Sequence, residues 1–271
     1  MSLTLNLRNG RESMGFPNLK DKHERTPLFT PKEYLFYLKK RKRYPKFIVP
    51  RGLIICYQSG LLEHILENHR TTKLSGFCRG LYSLDETDGK VIVAGNFGIG
   101  APAAVTILEE FIAFGIKRFI SIGTAGTLQK KIKVGDLMVC EKAIRDEGTS
   151  YHYIKPSKYA YPSKKLTGEI IDALEILDQK YFAGVTWTID APYRETIAEI
   201  KQYQKEGVAT VEMEASALFA VAEYRHVQLA AMLTVSDSLA ELEWRPEFHS
   251  KKTGEGLEVL YKAALSVLLE G

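Results

Sequence analysis

The 271-residue chain is poor in features that mark several protein classes. It has only three cysteines, an odd number without CxxC spacing, which argues against a disulfide framework and a zinc ribbon. No apolar run approaches the roughly 18 residues that a membrane span needs, and the polar first 14 residues lack the apolar stretch of a secretory signal. The six histidines are scattered without metal-ligand spacing. We therefore expect a cytoplasmic protein with reduced thiols, no membrane segment and no bound metal.

Charge is spread unevenly along a chain that is hydrophobic enough, at 45%, to bury a large core. Residues 1–51 hold 13 basic and 4 acidic residues, a balance of +9, whereas residues 52–271 hold 24 and 29, a balance of −5. The sequence therefore predicts a basic N-terminal extension, residues 1–51, followed by a single domain, residues 52–271. We expect the extension to lie on the domain or on a neighbouring subunit.

A run of five basic residues, Lys39 to Arg43, is the one candidate for nucleic-acid binding. Only Tyr44 beside it is suited to base stacking, and no zinc finger, RRM or helix-turn-helix pattern accompanies it. We interpret the run as the solvated end of a helix predicted over Pro31–Lys40, which argues against nucleic acid as a partner. The alternative is contact with an acidic partner or an adjacent subunit.

From residue 52 onward, short apolar runs rich in β-branched residues alternate with longer amphipathic runs. This alternation predicts an α/β layer fold with a largely parallel sheet and helices on both faces. The predicted strands are Leu53–Cys56, Val91–Phe97, Arg118–Ile122, Leu137–Ile144, Ala183–Ile189, Val208–Met213 and Leu229–Val235. The predicted helices are Gly60–Asn68, Pro102–Phe114, Lys164–Leu177, Glu195–Lys205, Glu214–Tyr224 and Gly254–Leu269.

Two glycine-rich segments follow predicted strands. The first, Gly98 to Ala103, reads G-x-G-x-x-A before a helix, a pattern that lets the backbone and a helix N-terminus approach an anion. The next strand ends Ile120 to Thr124, without the acidic residue that would hold the ribose of NAD, so we expect an anion site and not a dinucleotide site. A second glycine turn is predicted at Gly123–Thr127. Two such turns at neighbouring strand ends favour a shared ligand crevice, although tight turns without a ligand remain the alternative.

Three acidic residues follow strands near the end of the chain. Strand alternation sends Glu212 and Glu214 to the same side, and Asp237 ends the next predicted strand. Buried carboxylates need a partner or a ligand, because a bare buried charge is costly. One of the glutamates could cap a helix, and Asp237 could cap a helix or a turn. Taken with the glycine segments, the acids favour a substrate with a sugar-like diol and a group that needs protonation.

These motifs together resemble the nucleoside phosphorylase family, which includes hexameric purine nucleoside phosphorylases, uridine phosphorylases and methylthioadenosine nucleosidases. The resemblance runs from about residue 52 to 269 and is best over Val91–Gly148. It implies a three-layer α/β/α sandwich around a mixed, largely parallel sheet, and a homo-oligomer (dimer, trimer or hexamer). It also implies a small-molecule nucleoside as substrate, with inorganic phosphate as co-substrate and no cofactor.

The resemblance implies roles for the motif residues. Glu214 would accept hydrogen bonds from the ribose hydroxyls, Met213 would pack on the sugar, and Asp237 would protonate the departing base. The implied base pocket comprises Ala125, Gly126, Tyr193, Glu212 and Ser236. The implied nucleophile site comprises Gly98, Thr124 and an arginine, for which Arg70 is a candidate.

The chain departs from the family at its phosphate arginines. The first strand–helix turn reads Tyr57-Gln58-Ser59-Gly60-Leu61, without the arginine that phosphorylases carry there, and Ser121 occupies the place of a second one. Guanidinium groups suit phosphate because they bind it in a bidentate manner. The resemblance therefore implies a phosphorylase that gives base and ribose 1-phosphate, with a nucleosidase that uses water as the alternative. A non-catalytic nucleoside- or nucleic-acid-binding protein is a third hypothesis, and purine or pyrimidine preference stays open.

Overall fold

The structure is a computed structural model that describes residues 16–270. Its helices are α1 (Pro31–Lys40), α2 (Ser59–Asn68), α3 (Ala101–Phe114), α4 (Lys164–Ile176), α5 (Ile197–Lys205), α6 (Ala215–Arg225) and α7 (Lys251–Glu270). Its strands are β1 (Gly52–Cys56), β2 (Thr71–Lys73), β3 (Gly80–Leu84), β4 (Val91–Gly95), β5 (Arg118–Thr127), β6 (Leu137–Asp146), β7 (Tyr159–Ala160), β8 (Tyr181–Ile189), β9 (Thr210–Glu212), β10 (Gln228–Ser238) and β11 (Arg245–Pro246).

The strands form one sheet with an open half and a closed half. The open half runs in the order β2-β3-β4-β1-β5. Strand β5 then pairs with both β9 and β10, and the pairings β9–β8, β8–β6 and β6–β10 complete a closed ring of five strands. Strands β4, β1, β5 and β10 run parallel to one another, as do β6, β8 and β9, whereas the remaining pairs are antiparallel. The sheet is therefore mixed.

Helices cover both faces of this sheet, which confirms the three-layer prediction. Alternate residues of β1 point to opposite faces, so that Leu53 packs with α1, α3 and α6 while Ile54 packs with α2, α4 and α7. A third cluster joins α5 to the ring strands through Ile200 and Trp187. The core is thus two apolar layers separated by the sheet, the usual solution for an α/β domain.

Helix α1 begins at Pro31, as the sequence predicts, because Thr30 and Glu33 form a capping box there. It buries Leu35 and Leu38 in the apolar layer that contains α3. The division into an extension and a domain stays a prediction, and the first fifteen residues of the extension lie outside the described part of the chain. Within residues 16–270, no helix is both long and apolar enough to cross a membrane.

Candidate active site

The turn after β4, the second half of β5, the start of α6 and the end of β10 meet at one place in the structure, which we call the crevice. The turn contains Gly98 and Gly100 with φ values of 102° and 91°, a region that glycine adopts at little cost. Gly100 caps α3, and its N–H donates to Glu214 Oε1 at 2.5 Å across 114 residues of sequence. Met213 Cε lies 3.8 Å from the place where a Cβ on Gly100 would be. The first glycine segment and the acidic segment are therefore one site.

Glu212 holds the start of α6. Its carboxylate accepts hydrogen bonds from the N–H groups of Glu214 and Ala215, both at 2.7 Å, and from the Thr188 hydroxyl at 2.5 Å. The same hydroxyl accepts from the Ser216 N–H at 3.0 Å. These bonds satisfy N–H groups that the helix leaves without partners. Glu212 thus fixes the strand-to-helix turn that presents Glu214, and a contact with a base stays a prediction.

Burial governs the ionisation of the two glutamates. It raises the pKa of Glu214, which is only 8% exposed, and the nearby Glu212 carboxylate raises this pKa further. The N–H of Gly100 opposes the shift because it favours the charged form. Burial also raises the pKa of Glu212, against the hydrogen bonds from Thr188, Ala215 and Glu214. The pair therefore holds more protons near neutral pH than two exposed glutamates would.

Asp237 lies at the end of β10 with both carboxylate oxygens engaged. The Ser236 hydroxyl donates to Oδ1 at 2.8 Å, and the Trp244 indole N–H donates to Oδ2 at 3.1 Å. Burial raises the pKa of Asp237, and the two hydrogen bonds lower it in part. Trp244 was missed by the sequence analysis, because its spacing from Asp237 matches no motif that we considered.

The prediction of a second glycine turn is wrong. Gly123–Thr127 continues β5 in extended form, because Gly126 and Thr127 pair with β10 on one side and with β9 on the other. The glycines instead allow side chains from other elements to approach the β5 backbone closely. A Cβ on Gly126 would lie 2.9 Å from Asp237 Oδ2, and one on Gly123 would lie 3.3 Å from the Tyr57 ring. Ala125 lies between them, and its carbonyl oxygen is 3.4 Å from the Ser236 hydroxyl. The crevice therefore has one glycine turn and one glycine-lined strand.

A sequence profile of the Phosphorylase superfamily matches residues 53–268. The chain belongs to this superfamily. The guanosine phosphorylase of Halorubrum lacusprofundi is 32% identical over 152 residues, which are 56% of this chain and 63% of that protein. The uridine phosphorylase of Haemophilus influenzae is 28% identical over 196 residues, 67% of this chain and 78% of that protein. The chain thus spans about three fifths of the first of these relatives.

A solved structure supports the fold. The crystal structure of the purine nucleoside phosphorylase from Toxoplasma gondii, in complex with immucillin-H, superimposes with a TM-score of 0.71 at 21% identity. The match covers 82% of this chain and 91% of that one. Both the profile and the structure agree with the resemblance inferred from the motifs.

Uncharged polar side chains lie at the predicted nucleophile site. The hydroxyls of Tyr57, in the first strand–helix turn, and Ser121 are hydrogen-bonded to each other at 3.1 Å. Gln58 donates its amide N–H to the Thr124 hydroxyl at 2.9 Å. Among residues 16–270, no lysine or arginine is hydrogen-bonded to any of these four side chains. A small cluster of uncharged polar side chains therefore occupies the predicted phosphate site.

Two predicted site residues are not brought into the crevice of their own chain. Arg70 is exposed at the start of β2, and three strands separate β2 from β5. Tyr193 is 99% exposed in a single helical turn after β8. Half-buried Glu195 follows it, and its pKa is raised to about 7, first by burial and then by Asp237. Sequence analysis did not single out Glu195.

Proposed function

We propose that this chain is a nucleoside phosphorylase, which cleaves the N-glycosidic bond of a purine or pyrimidine ribonucleoside with phosphate to give base and ribose 1-phosphate. The observation that carries the proposal is the hydrogen bond from the Gly100 N–H to Glu214 Oε1. It joins an anion-type turn to a buried carboxylate, and Asp237 ends a strand of the same crevice. Relatives named guanosine, uridine and purine nucleoside phosphorylase support the same reaction.

Glu214 is the proposed ribose ligand. A carboxylate has about four acceptor positions, and the Gly100 N–H takes one of them. The others are free in principle to accept the ribose 2′- and 3′-hydroxyls, while Met213 packs on the sugar. A negative group held at this position also stabilises the positive charge that develops on the sugar ring as the bond to the base stretches.

Asp237 is the proposed general acid. Its burial raises its pKa, so that the carboxyl keeps a proton at higher pH than an exposed aspartate would. Ala125, Gly126 and Ser236 border this carboxyl and form the proposed wall of the base pocket. Proton transfer to a ring nitrogen lets the base leave as a neutral molecule. Phosphate, placed between the Gly98 turn and Thr124, attacks C1′ from the opposite side.

The first experiment is a screen for base release. The full chain is incubated with guanosine, inosine, adenosine and uridine in phosphate buffer, and free base is measured by chromatography. We expect release from at least one nucleoside. Absence of release from all four, under conditions where the protein remains folded by circular dichroism, would contradict the proposal and favour a non-catalytic nucleoside-binding protein.

A second candidate function is hydrolysis of the same bond by water. The observation that favours it is the hydrogen-bonded pair Tyr57–Ser121, to which no lysine or arginine of residues 16–270 is hydrogen-bonded. A neutral polar cluster suits water better than a phosphate dianion. The sugar product separates the two functions, since water gives free ribose.

We also propose that the enzyme is a cytoplasmic homo-oligomer. Support comes from the N-terminal segment, which exposes large apolar side chains of the kind that subunit contacts cover. They are Leu28, Phe29, Phe36, Tyr37 and Ile48, at 96%, 71%, 58%, 51% and 91% exposure. Light scattering is expected to give a multiple of the 30.5 kDa chain mass. A monomer at micromolar concentration would contradict this proposal.

A further inference from the structure

Asp237 is held by a side chain from the protein surface. The Trp244 indole is 62% exposed, whereas the aspartate that it contacts is 6% exposed. Strand β11 follows Trp244 immediately and pairs with Asp237 and Ser238, which fixes the segment over the end of β10. Phe248 packs beside the indole with a ring separation of 6.1 Å. An exposed aromatic pair therefore covers the approach to a buried carboxyl.

The oxygen that Trp244 binds is the one that faces the proposed base pocket. A Cβ on Gly126 would lie 2.9 Å from Asp237 Oδ2, so this oxygen points at the glycine-lined wall of β5. Oδ1 accepts the hydrogen bond of the Ser236 hydroxyl. We take Oδ2 as the oxygen that gives its proton to the base, and the indole N–H occupies a hydrogen-bonding position there at 3.1 Å.

The chemistry of the indole opposes the acid form of Asp237. An indole N–H donates and never accepts, so its hydrogen bond stabilises the carboxylate and disfavours the carboxylic acid. A general acid must carry the proton when the base leaves. This contact therefore favours the carboxylate form of Asp237 over the acid form that proton transfer to the base requires.

We propose that Trp244 is a positioning residue for Asp237, whose indole N–H holds Oδ2 of the carboxylate and is displaced from it by the base. The inference rests on the proposed function, because it takes Asp237 as the general acid. When the base enters, its ring nitrogen, which accepts a hydrogen bond, replaces the indole N–H at Oδ2. Asp237 takes up a proton as the base binds. Asp237 is therefore protonated only when a base is bound to receive the proton.

The charged groups around Asp237 define the control that the test needs. Glu195, from the turn after β8, is close enough to interact with Asp237, and its pKa is raised to about 7, first by burial and then by Asp237. In the segment that carries Trp244, Arg245 forms an ion pair with Glu243 at 2.9 Å, and Glu241 forms one with Lys130 at 2.6 Å. These charges are therefore already paired. Glu195 is therefore the group to neutralise when the titration of Asp237 is measured.

The first test compares the pH dependence of kcat/KM and of kcat in Trp244→Phe and Phe248→Leu, each alone and with Glu195→Gln. Trp244→Phe keeps an aromatic ring and removes the N–H, whereas Phe248→Leu alters the neighbouring ring and keeps the N–H. Loss of the donor raises the pKa of Asp237 in the free enzyme, so the alkaline limb of kcat/KM moves up by about one pH unit. The limb of kcat stays in place, because the base has already displaced the indole in the complex. Equal limbs in Trp244→Phe and wild type, or a uniform loss at every pH, would overturn the inference.

The second test needs no turnover and so separates this inference from the proposed function. Hypoxanthine and uracil are titrated into wild type and Trp244→Phe, with binding measured by calorimetry and indole emission by fluorescence. Trp187 is fully buried and reports the background in both proteins. We expect the emission of wild type to change with base binding and that of Trp244→Phe to stay constant. Binding with unchanged wild-type emission would overturn the role of Trp244 alone, whereas failure of both bases to bind would overturn the base pocket as well.

Discussion

Individual carboxyl groups in the crevice differ in how far the chain itself satisfies them. Glu212 accepts three hydrogen bonds from its own chain, which leaves it little to offer a ligand. Glu214 is bound through one oxygen to the Gly100 N–H. Asp237 is held by Ser236 and by the exposed Trp244 indole, which we propose is displaced by the base. The groups that keep bonding capacity, or can regain it, are the ones that we assign to substrate.

Replacing Asp237 by Asn tests the assignment of the acid. The amide keeps the shape of the side chain but cannot deliver a proton, so we expect kcat/KM to fall by roughly 10²- to 10⁴-fold. Asp172→Asn, on the exposed face of α4, is the matched control and should retain full activity. Unchanged turnover in Asp237→Asn, measured by base release, would show that another group protonates the base.

Replacing Glu214 by Gln tests whether burial of this functional carboxylate lowers the stability of the protein. Its raised pKa means that the folded protein binds more protons than the unfolded chain, so stability declines as pH rises from the ordinary carboxyl range through the folded pKa. Gln removes this decline. We expect urea unfolding at pH 8 to show Glu214→Gln more stable than wild type, by on the order of 2 kcal/mol, and less active. The surface variant Glu241→Gln should keep the wild-type slope, and a Glu214→Gln protein that is less stable than wild type at pH 8 would contradict the account.

Gly126 tests the close approach of β5 to Asp237. A methyl group there would meet Leu239 Cδ1 at 2.6 Å, Asp237 Oδ2 at 2.9 Å and Val211 Cγ1 at 3.3 Å. We expect Gly126→Ala to lose about 1–3 kcal/mol of stability and most of its activity. Gly168→Ala in α4 meets nothing within 4 Å and should gain up to about 1 kcal/mol, because alanine is the better helix former. Equal melting temperatures for the two variants would refute the packing argument.

Secondary-structure elements were predictable where the signal is local. Helix α3 matches its prediction within one residue at its start, because Pro102 and the apolar stripe are both contained in the segment. Strand β5 was predicted five residues too short, because its extension depends on pairing with β9 and β10, which lie far along the chain. The short strands β2, β3, β7 and β11 were missed for the same reason: pairing and not periodicity defines them.

Helix α1 lies in the predicted N-terminal extension, and its packing tests whether this segment is part of the folded core. Leu35 is 4% exposed in the core layer, whereas its neighbour Phe36 is 58% exposed. We expect Leu35→Ala to lower the free energy of unfolding by about 2–4 kcal/mol, whereas Lys39→Ala, at an exposed position of the same helix, should change it by less than about 0.5 kcal/mol. Chemical denaturation of the full chain measures both. Equal, small effects would mean that α1 contributes little to the fold of one chain.

The same contrast between local and distant signals applies to the candidate site. The acidic segment and the Gly98 turn are visible as motifs, and the fold joins them as the resemblance implies. The contact between Trp244 and Asp237 was not predictable, because it depends on how β11 folds back on β10. The sequence shows that two arginines of the family are missing, but not that the Tyr57 and Ser121 hydroxyls form a hydrogen bond, because the two residues are 64 positions apart.

The whole molecule combines an acidic body with a basic N-terminal segment, and among residues 16–270 no lysine or arginine is hydrogen-bonded to the Tyr57–Ser121 pair. Within the described residues, helix α1 joins the core layer of its own chain, so the basic run that follows it is carried at a fixed place on the surface. Phosphate binding therefore distinguishes phosphorolysis from hydrolysis, because the rest of the crevice would serve both reactions.

The most direct measurement is the identity of the sugar product. The chain is incubated with the nucleoside that gives the fastest base release, with and without inorganic phosphate, and the sugar is separated and identified by mass spectrometry. The account predicts ribose 1-phosphate and a rate that depends on phosphate. Release of free ribose at the same rate without phosphate would contradict it and identify water as the nucleophile.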